Sequence, residues 1–227
     1  MTLPAIAATL KAPKSSVHSI LLTLERRGYL LRSDSTRKYT ISLQLASLAG
    51  RALRGLALQD QAAPHLYWLS RATNCASHLA VLDQNEAVLI GKVEPPGSSR
   101  LATWVGRRME LHCTALGKVL LSSLPDSELE GLLNQRILSR HNEYTITSPR
   151  RLRDEVETVR AQGHAEDNEE DEIGLRCFAV PVRDPAGRTV AAISISGTKS
   201  QVNATSREPF VAKLKEAAAL ISATFDS

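Results

Sequence analysis

Two apolar runs on either side of a tight turn set the strongest constraint on this chain. "CFAVPV" (177–182) and "TVAAISIS" (189–196) flank Asp184-Pro185-Ala186-Gly187, residue types that suit a chain reversal. Extended segments joined so closely pair antiparallel. The same pattern stands earlier, with "SHLAVL" and "EAVLIGKVE" around Asp83-Gln84-Asn85, and "RLATWVG" (100–106) is a further candidate strand. Helix signals lie among these runs. Thr114 opens a helix in "RRMELHCTALGKVLLSSL", Pro125 and Asp126 open another, and Ser148-Pro149 caps "RRLRDEVETVRAQ", with Leu152, Val156 and Val159 on one face and Gly163 at its end. A last helix carries Phe210, Leu214, Ala217 and Ile221 on one stripe. The reading is an α+β domain whose antiparallel sheet is flanked by helices.

The first 60 residues differ from the rest in charge. They hold nine Lys/Arg against three Asp/Glu, net +6, while residues 61–227 are net −2. A basic unit joined to a larger near-neutral one points to a polyanion-binding module. In "TLPAIAATLKAPKSSVHSILLTLERRGYL", Thr2 and Pro4 start a short helix, Lys11 to Pro13 break it, and Val17, Ile20, Leu21 and Leu24 repeat at helical spacing up to Gly28. The first turns of the second helix are polar: Lys14, Ser15, Ser16, His18 and Ser19 stand where a recognition helix reads a groove. Two strand-like runs follow, Tyr29 to Arg32 and Lys38 to Ser42, around Asp34 and Ser35. They form a basic wing carrying Arg32, Arg37 and Lys38 for phosphates. An amphipathic hairpin with a solvated face is the plainer alternative, and His18 reads equally well as a groove contact or a solvent-facing side chain. The predicted boundaries are 1–42 for the DNA-binding winged helix-turn-helix, 43–60 for a linker helix interrupted before a restart after Pro64, and 61–227 for the larger domain.

Other classes are excluded by what is missing. No apolar run approaches the roughly 20 residues of a membrane span and no basic-then-apolar leader opens the sequence, so no membrane partner and a cytoplasmic location are expected. Cys75, Cys113 and Cys177 are odd in number and far apart, which argues against a disulfide framework or a zinc knuckle; no metal site and no cofactor are expected. No G-x-S-x-G elbow or catalytic cysteine motif is present, so no enzyme and no catalytic residues are expected.

The stretches "PKSSVHSILLTLERRGYL", "VGRRMELHCTALGKVLL" and "GHAEDNEEDEIGLRCFAVPVRDPAGRTVAAISISG" resemble the IclR-type bacterial transcriptional regulators, in the order that family shows. The resemblance implies a winged helix-turn-helix, a linker helix and a GAF-like effector-binding domain. It also implies homodimers, often paired into tetramers as dimers of dimers, on double-stranded operator DNA. The family usually places another helix before "LPAIAATL", which this sequence does not show; either the numbering begins late or the module is incomplete, and if it is incomplete Ile6, Leu10, Val17 and Leu21 are expected to keep apolar surface exposed. Ser19 stands where the family commonly has arginine, which weakens phosphate anchoring or shifts sequence preference. A ligand-sensing domain with impaired DNA binding, acting through protein contacts, is the rival reading.

The ligand site draws on chemistry and resemblance together. Side chains alternate along "AAISISG", so Ser194 and Ser196 share one strand face, where backbone groups or a ligand satisfy them. The first amides of the helix opened by "CTALGK" form a ready anion site beside Ala115 and Leu116. In family members with small-acid effectors the matching positions are Met109, Ala115, Leu116, Asp167, Cys177, Ser194 and Ser196, which implies a small organic acid effector. Asp167 fits such a site by accepting from a ligand hydroxyl, or alternatively by being itself protonated. His112 orients the loop or closes the pocket, or is simply structural, and Lys118 either supplements the anion field or, more plainly, reads as a solvated lysine. The acidic stretch "EDNEEDEIGLRC" (166–177) lacks the glycine and final carboxylate of a calcium loop, since Glu172 and Phe178 stand there. Glu169 to Glu172 are expected to form a solvated loop over the pocket mouth, with Asp167 and Cys177 facing the ligand.

Overall fold

The computed structural model describes residues 1–54, 57–97, 102–135 and 137–226. The chain divides into two compact units, Met1–Leu56 and Ala57–Ser227.

In the first unit, α1 (Leu3–Leu10) ends where Lys11 adopts a left-handed conformation, and α2 (Lys14–Arg26) follows after Pro13. Strands β1 (Leu30–Arg32) and β2 (Tyr39–Ile41) form an antiparallel hairpin, and α3 runs Leu43–Arg54. The hairpin's base is tied to the N-terminus, because the Tyr39 amide donates to the Met1 carbonyl at 2.7 Å. Ala7, Val17, Leu21 and Tyr39 form the small core. The expectation that Ile6, Leu10, Val17 and Leu21 all stay exposed is therefore corrected. Val17 and Leu21 are buried between α1, α2 and the hairpin and Ile6 is half-buried, while Leu10 remains 62% exposed.

The second unit begins with α4 (Ala57–Thr73), which runs through Pro64 and does not restart after it. Proline removes one amide from the helix, yet burial of Ala62, Leu66 and Leu69 on the same face holds it together. Two hairpin strands follow, β3 (Ala76–Asp83) and β4 (Glu86–Val93), and their turn takes positive φ at both Gln84 and Asn85 as the twist of such hairpins requires. The candidate strand at 100–106 is not one. Residues 100 and 101 lie outside the described residues, 102–106 form no strand, and a short β5 (Arg108–Met109) pairs with β4 instead. The displacement comes from a turn at Gly106, whose φ is +92°, closed by the Arg107 amide on the Trp104 carbonyl at 3.0 Å.

Helices α5 (Ala115–Ser122), α6 (Asp126–Gln135) and α7 (Pro149–Gln162) come next, α7 starting at its Ser148 cap and ending at left-handed Gly163. Strands β6 (Ala165–Asn168), β7 (Leu175–Arg183) and β8 (Thr189–Thr198) and helix α8 (Ala204–Ala223) complete the unit. The buried stripe of α8 runs through Val211, Leu214, Ala217, Ala218 and Ile221, so Phe210 lies at its margin, half-buried. All strands pair antiparallel in the order β5-β4-β3-β8-β7-β6. Helices α4 and α8 pack on one face; α5 packs on the other, with α7 against α5. Among the described residues no helix is long and apolar enough to cross a membrane.

Candidate functional site

In the first unit, the burial of Val17 and Leu21 orients α2. Lys14, Ser15, Ser16, His18 and Ser19 are all exposed on its other sides. Arg32, Arg37 and Lys38 are exposed on the hairpin, with the Arg32 guanidinium 5.8 Å from the centre of the Tyr39 ring. This basic, hydroxyl-rich surface suits phosphate and base-edge contacts.

In the second unit, strand register assembles a wall. Across β8, β7 and β6, Ser196 pairs with Cys177 and Cys177 with Asp167; across β3, β8 and β7, His78 pairs with Ser194 and Ser194 with Ala179. Cross-strand partners share a sheet face, so all of these point toward α5. There they line a cavity with about 560 Å³ of empty space, its mouth included, which also takes in Met109, Thr114, Ala115 and Leu116. A concave, mostly apolar wall with a few convergent polar groups is the usual form of a small-molecule site.

The wall is polar at a few points and dry elsewhere. Ser196 Oγ lies 3.0 Å from Cys177 Sγ and 3.4 Å from His78 Nδ1, while His78 Nε2 is 3.3 Å from Thr103 Oγ1. Ser194 Oγ is buried and has no hydrogen-bond partner among the described residues. Opposite, the Thr114 hydroxyl accepts from the Gly117 amide at 3.1 Å, which leaves the Ala115 and Leu116 amides without partners inside α5. Burial, reinforced by Lys92, lowers the His78 pKa to about 4, so the ring is neutral. Burial likewise pushes the Cys177 thiol up and keeps it protonated.

Asp167 is strongly altered by this environment. Burial raises its pKa to about 7, aided by Glu170 and opposed by the Glu170 amide, which donates to Oδ1 at 2.8 Å. An acid whose folded pKa exceeds its unfolded value holds an extra proton when folded, so its contribution to stability declines as pH rises from about 4 to 7. Asp167→Asn keeps the acceptor and removes the titration. The variant should gain about 2 kcal/mol relative to the parent on going from about pH 5 to pH 8 in denaturant titrations. Parallel pH profiles for the two proteins would show that Asp167 is already ionised at the lower pH.

Of the residues expected at the ligand, Met109, Ala115, Leu116, Asp167, Cys177, Ser194 and Ser196 line this cavity, whereas His112 does not; its Nε2 lies 2.9 Å from the Ser139 carbonyl. His78, Thr103 and Arg107 line it as well and were not anticipated, while Asp171 and Glu172 line it from the loop expected over its mouth. The alternation in "SHLAVL" places His78 on a face, but only its pairing with Ser194 shows which face.

Two expectations are corrected. Lys118 is not solvated but 1% exposed, its Nζ donating to Glu170 at 2.6 Å, the Glu166 carbonyl at 2.8 Å and Glu155 at 3.0 Å. Burial opposes its charge, but Glu170 and Glu155 outweigh that and hold its pKa above the ordinary value. Burial nonetheless raises the Glu170 pKa despite Lys118, because one cation is divided between two carboxylates and Glu170 Oε2 is buried with no partner among the described residues. Glu169 to Glu172 are not uniformly solvated either. Glu169 is buried, accepting from the Gly174 amide at 3.0 Å and from Arg176 at 3.1 Å, and Glu170 is buried on Lys118. Only Glu172 is exposed, with Asp171 beside it at the cavity mouth. Cations from distant elements recruit the carboxylates that the sequence lists as a simple charge run.

Residues 50–223 match the family model described as "Bacterial transcriptional regulator IclR C-terminal", and residues 1–34 match "IclR helix-turn-helix domain". The chain is 39% identical to the HTH-type transcriptional regulator KdgR of Escherichia coli K12, over 92% of this chain and 80% of that protein. It is similar in structure to the IclR of Thermotoga maritima, with a TM-score of 0.80 and 33% identity over 100% of this chain and 92% of the other. A Microbacterium hydrocarbonoxydans IclR homolog, solved in complex with 4-hydroxybenzoate, gives a TM-score of 0.85 at 26% identity, covering 100% of this chain and 91% of that one.

Proposed function

The chain belongs to the IclR family of bacterial transcriptional regulators, and from that premise we propose that a small organic acid seated in the cavity of its second unit controls operator binding by its first. It is a regulator with a DNA-binding helix-turn-helix and a C-terminal effector domain, not an enzyme. In this reading residues 1–42 bind DNA, 43–60 link, and 61–227 sense the effector, in cytoplasmic homodimers or tetramers.

The observation that carries the effector class is Ser194 Oγ, buried and without a partner among the described residues on the cavity wall, which also takes in the start of α5, where the Ala115 and Leu116 amides have no partner inside the helix. A ligand oxygen satisfies the hydroxyl while its carboxylate takes the amides. Asp167 accepts from a ligand hydroxyl when ionised and tolerates an anionic neighbour when protonated. The bound 4-hydroxybenzoate of the Microbacterium homolog, an acid bearing a hydroxyl, supports the same class. Lys14, Ser15, Ser16, His18 and Ser19 read the groove and Arg32, Arg37 and Lys38 hold phosphates. The effector acts by favouring one arrangement of the linker helices and so one spacing of paired recognition helices.

A thermal-shift screen of small carboxylic acids tests the ligand half. An acid at a hundredfold excess over its Kd stabilises the native state by about 2.7 kcal/mol, and Ser194→Ala with Ser196→Ala should abolish the rise. An undiminished shift in the double variant places the ligand elsewhere. Mobility shifts with the chain's own upstream DNA, with and without that acid, test the other half. If no specific binding occurs at moderate salt, the chain is a sensor acting through protein contacts.

A further inference from the structure

We propose that Glu110, His112, Cys113 and His141 form a second site, one for a zinc-class divalent metal ion, apart from the effector cavity. Each offers one ligand atom, a carboxylate oxygen, two ring nitrogens and a thiol sulfur, and the four atoms lie within 4.8 Å of one another. Tetrahedral zinc with bonds of about 2.0 to 2.3 Å sets its ligand atoms roughly 3.3 to 3.8 Å apart, so small side-chain adjustments close the shell. None of the four lines the effector cavity.

The donor set and setting favour this class of metal. Two imidazoles, a thiolate and a carboxylate suit zinc or cobalt, and harder cations such as magnesium or calcium take oxygen shells instead. A thiolate and a carboxylate together balance a dication. His112 and Cys113 are buried and make the floor, while the Glu110 and His141 side chains are 35% and 37% exposed and give the ion its entry.

The groups are already gathered by contacts among themselves, and Ser139 orients two of them as an outer shell would. Glu110 Oε2 lies 2.6 Å from His141 Nε2, and Glu110 Oε1 accepts from Ser139 Oγ at 2.9 Å. The His112 and His141 rings stack at 6.3 Å between centroids and 25° between planes. His112 Nε2 meets the Ser139 carbonyl, the kind of contact that fixes the tautomer of a metal ligand.

The placement has a consequence. Glu110 to Cys113 lead directly into α5, whose start walls the effector cavity, and His141 begins the segment whose Asn142 and Thr145 hold the backbone of Glu169 and Glu170. An ion bound here clasps the two loops that brace the cavity.

The test uses tag-free full-length protein stripped with chelator, with zinc and cobalt as probes and no organic acid or DNA present. One zinc per chain should bind in chelator competition. Cobalt should give intense tetrahedral d–d bands and a sulfur-to-cobalt charge-transfer band that Cys113→Ser removes. His141→Ala, at an exposed position that leaves folding intact by circular dichroism, should weaken binding at least about tenfold. Absence of stoichiometric binding at micromolar zinc overturns the proposal. So do weak octahedral cobalt bands, or an affinity untouched by His141→Ala.

Discussion

Gly117→Ala should destabilise the second unit by about 3 kcal/mol, although alanine is the better helix former by roughly 1 kcal/mol. A Cβ at this first turn of α5 falls 2.5 Å from the Leu111 carbonyl oxygen and 2.7 Å from its carbonyl carbon, with Leu111 Cα closer still. Those atoms are backbone and cannot rotate away. The loop that carries them is held by the contacts of Glu110 and His112 to Ser139. To admit the methyl, either α5 retreats from the loop or the loop leaves the core, and both movements disturb the amides of Ala115 and Leu116 at the cavity. Propensity and packing thus predict opposite signs, which makes denaturant unfolding decisive. An unchanged or raised midpoint would mean that the loop and α5 do not pack this closely.

One residue along, Lys118→Met should cost about 3 to 5 kcal/mol, because it removes the cation and leaves the Glu170 carboxylate buried without it. Three acceptors lose their donor at once: Glu170, Glu155 and the Glu166 carbonyl. The loss should shrink at low pH. Burial already holds the Glu170 pKa above its ordinary value, and without Lys118 it rises further, so the variant regains stability as pH falls and the carboxylate protonates. Lys118→Met with Glu170→Gln should recover most of the deficit, since the uncompensated charge is then gone. A single variant within about 1 kcal/mol of the parent would show that Glu170 is neutral in the native protein.

The first expectation rests on a loop folded back onto a helix six residues on, and the second on contacts between residues dozens of positions apart; neither follows from local rules, and that distinguishes what was legible early. The hairpin turn at Gln84 and Asn85, the Ser148 cap, the Gly163 stop and the two helices of the N-terminal unit were readable because capping, turn chemistry and periodicity act within a few residues. The reading failed where a distant partner overrode a local rule. Core burial carried α4 through Pro64, and a glycine turn displaced the expected third strand to Arg108–Met109. The cavity residues drawn from family resemblance were found together, but His78 and Arg107 were missed because no nearby residue marks them.

The sequence by itself determined most of the helices, the hairpin pairings and the separation of a basic unit from a near-neutral one, since each depends on neighbours in the chain. Tertiary structure alone decided which carboxylates are solvated, that Lys118 is buried among acceptors, that Asp167 titrates near 7, and that His141 stands beside Cys113. Charge state and coordination depend on distance and burial, and in a folded chain those are set by sheet register and loop closure between residues dozens of positions apart.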